Sequence, residues 1–314
     1  MKPALILPPE RDERWDLARQ IGVEQAVVNT MNIGDGHRYQ GYDELLRLSN
    51  RFENAGFNLA VIEESFPLSN TTILGKDGRD EEIEAFCEFL CNAGRVGIDT
   101  VCYDWMATRW ARTDTSVPTR GGSLTTAYDH KQMQRGPDHP DAPVTADHLW
   151  STLEYFLKRT VPVAEEANID LALHPNDPPI SPVRGVERII TSPEAYDRVL
   201  EIVPSDRNGI AYCQGNFSAM EIDIPKTIRH FGDDINYVHF RDVVGSADGF
   251  EETWHDQGPT DMGTTIEAYA DVDYDGPARP DHVPTMVGEG NDSPGYETKG
   301  RLFAIGYMKG LIDS

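Results

Sequence analysis

Hydrophobic and polar positions along the chain follow two alternating rhythms. Short apolar runs predict strands, and between them apolar residues recur every three or four positions, which predicts helices. The predicted strands are residues 24–30, 58–64, 100–105, 169–174, 208–213, 235–241, 250–254 and 277–281, whereas residues 1–23 look irregular and then helical. Eight strand–helix alternations predict an α/β fold: a single (β/α)8 barrel domain spanning residues 1–314.

One segment, residues 106–145, breaks this rhythm. It is rich in Thr, Arg, Gly, Asp and Pro and has little hydrophobic periodicity. Long irregular segments inside compact domains are usually functional or disordered. We therefore interpret it as an irregular insertion that covers an active site.

Four strand-like stretches carry a residue that can bind a metal ion at or near their downstream ends. These residues are His174, Cys213, His239 and Asp281. If the strands are parallel neighbours in a barrel, their downstream ends meet at one rim, where barrel enzymes place their chemistry. Two imidazoles, a thiolate and a carboxylate suit a divalent transition metal with positions left open for substrate. A single strand histidine is more often a core residue, but four such residues at strand ends favour a metal site.

Further residues near the same rim are suited to proton transfer and substrate binding. His282 directly follows Asp281, and Tyr296 lies in the glycine-rich segment GEGNDSPGYETKG. Arg241 and His255 are candidate substrate-binding residues, because an arginine can hold a carboxylate through two parallel hydrogen bonds. The alternatives are a solvent-exposed tyrosine and an arginine engaged in a salt bridge.

The composition excludes several classes of function. A net charge of -25, from 53 acidic and 28 basic residues, disfavours nucleic acid and anionic membranes as partners. The sequence shows neither a long apolar run nor a signal peptide, so we expect a cytoplasmic protein. Four cysteines in 314 residues do not make a disulfide framework, and Cys87 and Cys91 fit the apolar face of a helix.

Several motifs resemble those of the mannonate dehydratases, metal-dependent lyases with a xylose isomerase-like TIM barrel. The motifs are LHPNDPP, YCQGNF, VHFRDV, FEETWHDQGPTDM and RPDH, with VCYDWM and WARTD before them. The resemblance implies that His174, Cys213, His239 and Asp281 hold Mn²⁺, with Fe²⁺ as a second choice. It also implies that His282 and Tyr296 transfer protons and that Arg241 contacts a sugar acid.

The implied reaction converts D-mannonate to 2-dehydro-3-deoxy-D-gluconate and water in glucuronate catabolism, and we expect a homo-oligomer, a dimer. The residues do not decide which of His282 and Tyr296 is the acid and which the base. Two alternatives are a metal-dependent sugar isomerase or epimerase of the same barrel superfamily, and a non-catalytic sugar-acid binding homologue. Two segments depart from the family pattern: residues 1–23 lack its Trp-Tyr-Gly-Pro segment, and VIEESFPLSNTTI lacks its histidine.

Overall fold

The computed structural model describes residues 1–29, 41–63 and 68–314. The strands are β1 Lys2–Ile6, β2 Gln25–Asn29, β3 Asn58–Glu63, β4 Thr100–Asp104, β5 Asp114–Pro118, β6 Leu124–Asp129, β7 Asp170–His174, β8 Asn208–Cys213, β9 Ile235–Phe240, β10 Val243–Ser246, β11 Gly249–Glu252 and β12 Pro277–Pro280. The helices are α1 Glu13–Gln20, α2 Tyr42–Asn54, α3 Asn70–Ile73, α4 Arg79–Arg95, α5 His130–Met133, α6 Ala146–Ala167, α7 Pro193–Ile202, α8 Gln214–Ala219, α9 Ile224–Phe231, α10 Met262–Asp271 and α11 Thr298–Ile312.

Within these residues, eight parallel strands close into a barrel in the order β1, β12, β9, β8, β7, β4, β3, β2. The helices pack outside it, and α4, for example, contacts both α2 and α6. The predicted (β/α)8 barrel is therefore confirmed. The strands that carry the four candidate metal ligands, β7, β8, β9 and β12, are consecutive neighbours around it.

Two strand predictions were wrong, and they compensate for each other. The first barrel strand is β1, which was not predicted from the sequence. Its segment looked irregular because the strand is short, contains Pro3 and is followed by two prolines. It pairs with β2 on one side and β12 on the other, which closes the barrel. Residues 250–254 supply no barrel strand, because β11 pairs antiparallel with β10 and β6. Ser246 pairs with Gly249, so Ala247 and Asp248 form the two-residue connection of a hairpin between β10 and β11.

The prediction that residues 106–145 are irregular was also wrong in part. The segment contains β5 and β6, which form a hairpin, followed by the short helix α5. Gly121 and Gly122 both have positive φ angles, 65° and 81°, in the connection between the strands. Glycine adopts this backbone conformation without steric penalty, so it suits a tight turn. With β10 and β11, the hairpin completes a four-stranded antiparallel sheet beside the barrel.

Apolar packing surrounds the barrel strands and also fills the lower part of the barrel. The inner cluster consists of Ala4, Val27, Ala60, Val61, Cys102, Ala172, Ala211 and Tyr237. Side chains alternate along a strand, so residues two positions downstream of this cluster face inward at the upper rim. Those residues include Glu63, Asp104, His174, Cys213 and His239. The strand period of two therefore places polar groups directly above a floor of small apolar side chains.

The helices of the described ranges include none that is both long and apolar enough to cross a membrane.

Candidate active site and metal centre

A cavity of about 540 Å³ opens at the downstream ends of the barrel strands. Its lining includes Glu63, Asp104, Trp110, His174, His239, Arg279, Asp281, His282, Tyr296 and Arg301. Of the eight residues named from the sequence as site residues, five line this cavity, namely His174, His239, Asp281, His282 and Tyr296. A sixth, Cys213, is grouped with His174 and His239. The fold therefore brings the proposed metal ligands and the proposed proton-transfer residues together.

His174, Cys213 and His239 form the tightest group. One ligand atom from each residue lies within 4.8 Å of the other two. The Nδ1 atom of His174 lies 2.7 Å from the carbonyl oxygen of Pro175, so it carries the proton and leaves Nε2 as a free lone pair. This Nε2 faces Nδ1 of His239 at 3.2 Å. Two ring nitrogens and a sulfur thus converge on one point.

His239 is oriented from its other side by a buried carboxylate. Its Nε2 lies 3.3 Å from Oε1 of Glu63, at the end of β3. Burial acts to raise the pKa of Glu63, but Arg279 and His239 outweigh it and hold that pKa well below its usual range. A carboxylate behind a histidine fixes its tautomer and raises its basicity as a metal ligand. The nitrogen and sulfur donors therefore fit a divalent transition metal, and Nδ1 is the nitrogen of His239 that faces it.

Asp281 lies beside this group and is engaged by two arginines. Its Oδ1 accepts a hydrogen bond from Nη1 of Arg279 at 2.7 Å, and its Oδ2 lies 3.2 Å from Nε of Arg241. The same Oδ2 is 3.6 Å from Nδ1 of His239. Burial opposes its ionisation, yet Arg279 and the neighbouring imidazoles hold the pKa of Asp281 well below its usual value. Asp281 is thus a carboxylate at the edge of the cluster, and its role as fourth ligand stays a prediction.

His282 and Tyr296 form a pair on the cavity wall. The phenol oxygen of Tyr296 lies 3.4 Å from Nε2 of His282, and their ring centroids are 5.2 Å apart. Burial lowers the pKa of His282 well below its usual value, and the opposing effect of Asp281 does not restore it. The imidazole is therefore neutral at pH 7 and can accept a proton. This geometry suits proton exchange between two adjacent groups.

Arg241 lies in a buried ion network. Its Nε donates to Sγ of Cys213 at 3.1 Å, and Nη2 donates to Oδ2 of Asp177 at 2.8 Å. Its Nη1 donates to Glu252. Arg112 pairs with the same two acids, at 2.6 Å from Asp177 and 2.5 Å from Glu252. Every guanidinium nitrogen of Arg241 thus already has a protein acceptor, and its contact with a sugar acid stays a prediction.

His255 lies away from the lining of the cavity. It follows β11 of the antiparallel sheet, and its Nε2 lies 2.7 Å from the carbonyl oxygen of Phe240. Burial lowers its pKa to about 4. The predicted position at the rim, directly after a seventh barrel strand, was wrong, because the preceding strand β11 belongs to the other sheet. Its predicted role in substrate binding has no support from this geometry.

Several residues of the site were not identified from the sequence. Glu63 and Arg279 support His239 and Asp281 from below, and Asp177, Arg112 and Glu252 surround Arg241. A charged residue at the end of an apolar strand is a signal that could have identified Glu63. The family histidine that is missing from VIEESFPLSNTTI cannot be placed, since residues 64–67 lie outside the described ranges.

Comparison with known proteins indicates one family. The family model described as D-mannonate dehydratase (UxuA) matches residues 14–142 and 139–314. The mannonate dehydratase of Thermotoga petrophila is 34% identical over 94% of this chain and 92% of its own length. That of Streptococcus pneumoniae is 32% identical over 93% of this chain and 87% of its own length.

Solved structures give the same result. The crystal structure of mannonate dehydratase from Streptococcus suis serotype 2 has a TM-score of 0.91 and 31% identity, covering 100% of this chain and 93% of that one. A xylose isomerase domain protein from Planctomyces limnophilus has a TM-score of 0.60 and 13% identity, covering 99% and 95% of the two chains, which shows a shared fold only. With a family model that spans nearly the whole sequence and relatives above 30% identity, this chain belongs to the D-mannonate dehydratase family.

Proposed function

We propose that the protein dehydrates D-mannonate to 2-dehydro-3-deoxy-D-gluconate, with Mn²⁺ as cofactor and Fe²⁺ as the second choice, in hexuronate (glucuronate) catabolism. The observation that carries this proposal is the convergence of His174, Cys213 and His239 beside the His282–Tyr296 pair in one cavity. The relatives named above are mannonate dehydratases, which supports the same substrate.

The metal would be held by His174, Cys213 and His239, with Asp281 as the fourth ligand. When bound, it supplies positive charge that stabilises the enolate-like charge developing next to the substrate carboxylate. Imidazole and thiolate ligands also suit iron, whereas manganese normally prefers more oxygen ligands. The oxygen of Asp281 therefore matters for the choice between the two ions.

The protein groups then perform two proton transfers. One of His282 and Tyr296 takes the C2 proton, and the electrons of that C–H bond form the enolate-like charge next to the substrate carboxylate. These electrons then form the C2–C3 double bond as the C3–O bond breaks. The other group donates a proton to the departing hydroxyl, which leaves as water. The enol that remains tautomerises to the 2-keto acid. Neutral His282, buried beside the Tyr296 hydroxyl, can accept the C2 proton directly, whereas it can act as the acid only after it has gained a proton.

Product formation tests the proposal directly. Protein stripped with a chelator and reloaded with Mn²⁺ or Fe²⁺ is given D-mannonate and a panel of stereoisomeric hexonates, and keto acid is measured with semicarbazide. We expect keto acid from D-mannonate only with a metal present. Absence of product from every hexonate would overturn the dehydratase assignment. A product of unchanged mass would indicate an isomerase or epimerase, and binding without turnover would indicate a non-catalytic homologue.

A ligand variant and a matched cysteine control test the metal centre. Cys213→Ala removes the sulfur of the cluster, so we expect loss of bound metal and a fall in kcat/KM of about 1,000-fold or more. Cys91→Ala, on the outer helix α4, should keep both metal content and activity. Metal content is measured by mass spectrometry of the dialysed protein. Full metal occupancy in Cys213→Ala would exclude the thiolate as a ligand.

Isotope exchange separates the acid from the base. The variants His282→Asn and Tyr296→Phe are incubated with D-mannonate in D₂O, and deuterium at C2 of recovered substrate is measured. The variant that lacks the base should lose exchange, whereas the variant that lacks the acid should keep exchange but form no keto acid.

Homodimer formation and cytoplasmic location remain predictions. Light scattering after size-exclusion chromatography would test homodimer formation.

A further inference from the structure

His282 is held in an unusual way for a residue that must direct a ring nitrogen at substrate. Its backbone φ is 47°, a left-handed conformation that is uncommon outside glycine. Within the described ranges its Nδ1 atom is buried without a hydrogen-bond partner. Its contacts with the Tyr296 hydroxyl at 3.4 Å, Asp281 at 3.5 Å and Glu252 at 3.8 Å are all longer than ordinary hydrogen bonds. Hydrogen bonding alone therefore does not fix the angle of this imidazole.

Aromatic packing supplies the missing restraint. The indole of Trp110 stacks on the His282 ring with a centroid distance of 5.3 Å and an angle of 20° between the planes. Tyr296 contacts the ring at 5.2 Å and 57°. At Gly295, an added Cβ would lie 2.9 Å from Nδ1, so the backbone of the Tyr296 loop also passes close to the ring edge. Rotation of the imidazole is thus opposed by the indole, the phenol ring and this loop.

Trp110 is itself firmly held, although it lies in the insertion. The guanidinium of Arg112 lies 4.8 Å from the centre of the Trp110 ring, and Arg112 is paired with Asp177 and Glu252 at 1% side-chain exposure. Arg188 donates to the hydroxyl of Thr108 and to the carbonyl of Arg109, both at 2.8 Å. Both restraints are buried cations, so the chain on either side of Trp110 is anchored to the barrel rim.

Trp110 is much more exposed than the ring on which it stacks. Trp110 lines the cavity and is 38% exposed, whereas His282 is 2% exposed. The indole of Trp110 therefore shields the face of the His282 ring on which it stacks from solvent. Without it, water would reach the ring, and the ring would have room to rotate.

We propose that Trp110 is a positioning residue, whose indole holds the His282 imidazole at the angle that proton transfer requires. This inference rests on the proposed function, because the rate it affects is that of the dehydration. The insertion thus contributes the Trp110 side chain, which sets the orientation of the His282 imidazole. Small misplacements of such a group reduce rates by about 100-fold.

Steady-state kinetics of three variants tests this role. We expect Trp110→Ala to lower kcat at least about 10-fold with KM changed less than about three-fold, because the ring nitrogen is misdirected after substrate has bound. Trp110→Phe, which retains an aromatic face, should restore most of kcat. The matched control is Trp150→Ala, since Trp150 also stacks with an arginine, Arg198 at 3.9 Å, but on the outer helix α6. This control should keep wild-type kcat.

A second measurement does not need turnover. In histidine-labelled protein, the Cε1 proton of His282 is assigned by its loss in His282→Asn. We expect an upfield ring-current shift of this resonance in the wild type, absent in Trp110→Ala and present in Trp150→Ala. If no hexonate is turned over, the proposed function fails while this resonance still decides the packing. An unchanged resonance, an unchanged kcat, or a rise in KM alone in Trp110→Ala would overturn the positioning role.

Discussion

The two ends of the barrel carry similar charged residues in different surroundings. At the downstream end, Arg241 and Asp177 form an ion pair at 2.8 Å in which both side chains are 1% exposed. At the upstream end, a cavity of about 330 Å³ contains the pair Lys2–Asp275 at 3.3 Å, with side chains 55% and 87% exposed. The pair Arg207–Asp170 lies at the same end and is about one-third exposed.

This difference shows which charged residues contribute to the stability of the fold. Buried ions lose their hydration, so each needs a partner, and removing one partner leaves an uncompensated charge. Exposed pairs are screened by water and contribute little. The downstream end therefore holds a fixed set of charges around the proposed metal ligands, and the upstream end is ordinary surface. Chemistry at one end and solvation at the other is the usual division in barrels of this kind.

The largest expected effect on stability comes from replacing one ion-paired arginine at each end of the barrel and comparing the two losses. Arg241→Met leaves Asp177 and Glu252 with one cation fewer, so we expect the free energy of unfolding to fall by about 3–5 kcal/mol. Arg207→Met should lower it by no more than about 1 kcal/mol. Urea unfolding in the presence of EDTA measures both without a contribution from bound metal. Equal losses in the two variants would contradict the contrast between the two ends.

Acid should weaken the buried end through His255. Its pKa is about 4 in the folded protein against an ordinary 6.5, so the unfolded chain binds the proton more tightly. The stability from neutral His255 is therefore complete above pH 6.5 and is lost as the pH falls from 6.5 towards 4. Between pH 7 and pH 4.5 this loss amounts to about 2 kcal/mol.

The variant His255→Gln isolates that contribution. It has no titrating side chain at this position, and the other groups titrate alike in both proteins. Urea unfolding at pH 7 and pH 4.5 should therefore show a smaller acid loss in the variant than in the wild type. Equal losses would mean that His255 is protonated in the folded protein as easily as in the unfolded chain.

Most of the barrel could be predicted from local pattern, because seven of its strands are apolar runs that alternate with helices. Strand β1 could not be predicted in this way. It pairs with β2 and β12 because these pairings close the barrel, which outweighs its short length and its proline. Strand β11 was assigned to the wrong sheet, because an isolated apolar run does not reveal its partner.

The candidate site divides in the same way. His174, Cys213 and His239 follow from strand ends and a period of two, which are properties of the local sequence. The ion network around Arg241 does not, because its members Arg112, Asp177 and Glu252 come from three separate segments of the chain. Trp110 lies in a stretch without periodicity, so only the three-dimensional structure reveals its stacking on His282.

The smallest expected effect has the opposite sign and lies at the upstream end. Burial and the nearby carboxylate of Asp170 raise the pKa of Asp99, although Lys2 and Arg207 partly oppose this. The folded state thus binds this proton more tightly than the unfolded chain, and the ionised carboxylate is unfavourable at pH 7. Asp99→Asn removes that carboxylate. We expect it to stabilise the protein at pH 7 by less than about 1 kcal/mol, since the site is half exposed and screened.

The gain should disappear in acid, where Asp99 of the wild type is itself protonated. Asp275→Asn is the matched control, because it removes an exposed carboxylate that pairs with Lys2 and should give no gain. Urea unfolding of the three proteins at pH 7 and pH 3.5 measures both effects. If Asp99→Asn destabilised the protein at pH 7, Asp99 would be a partnered carboxylate like Asp177. The upstream end would then hold fixed, partnered charges, as the downstream end does around the proposed metal ligands.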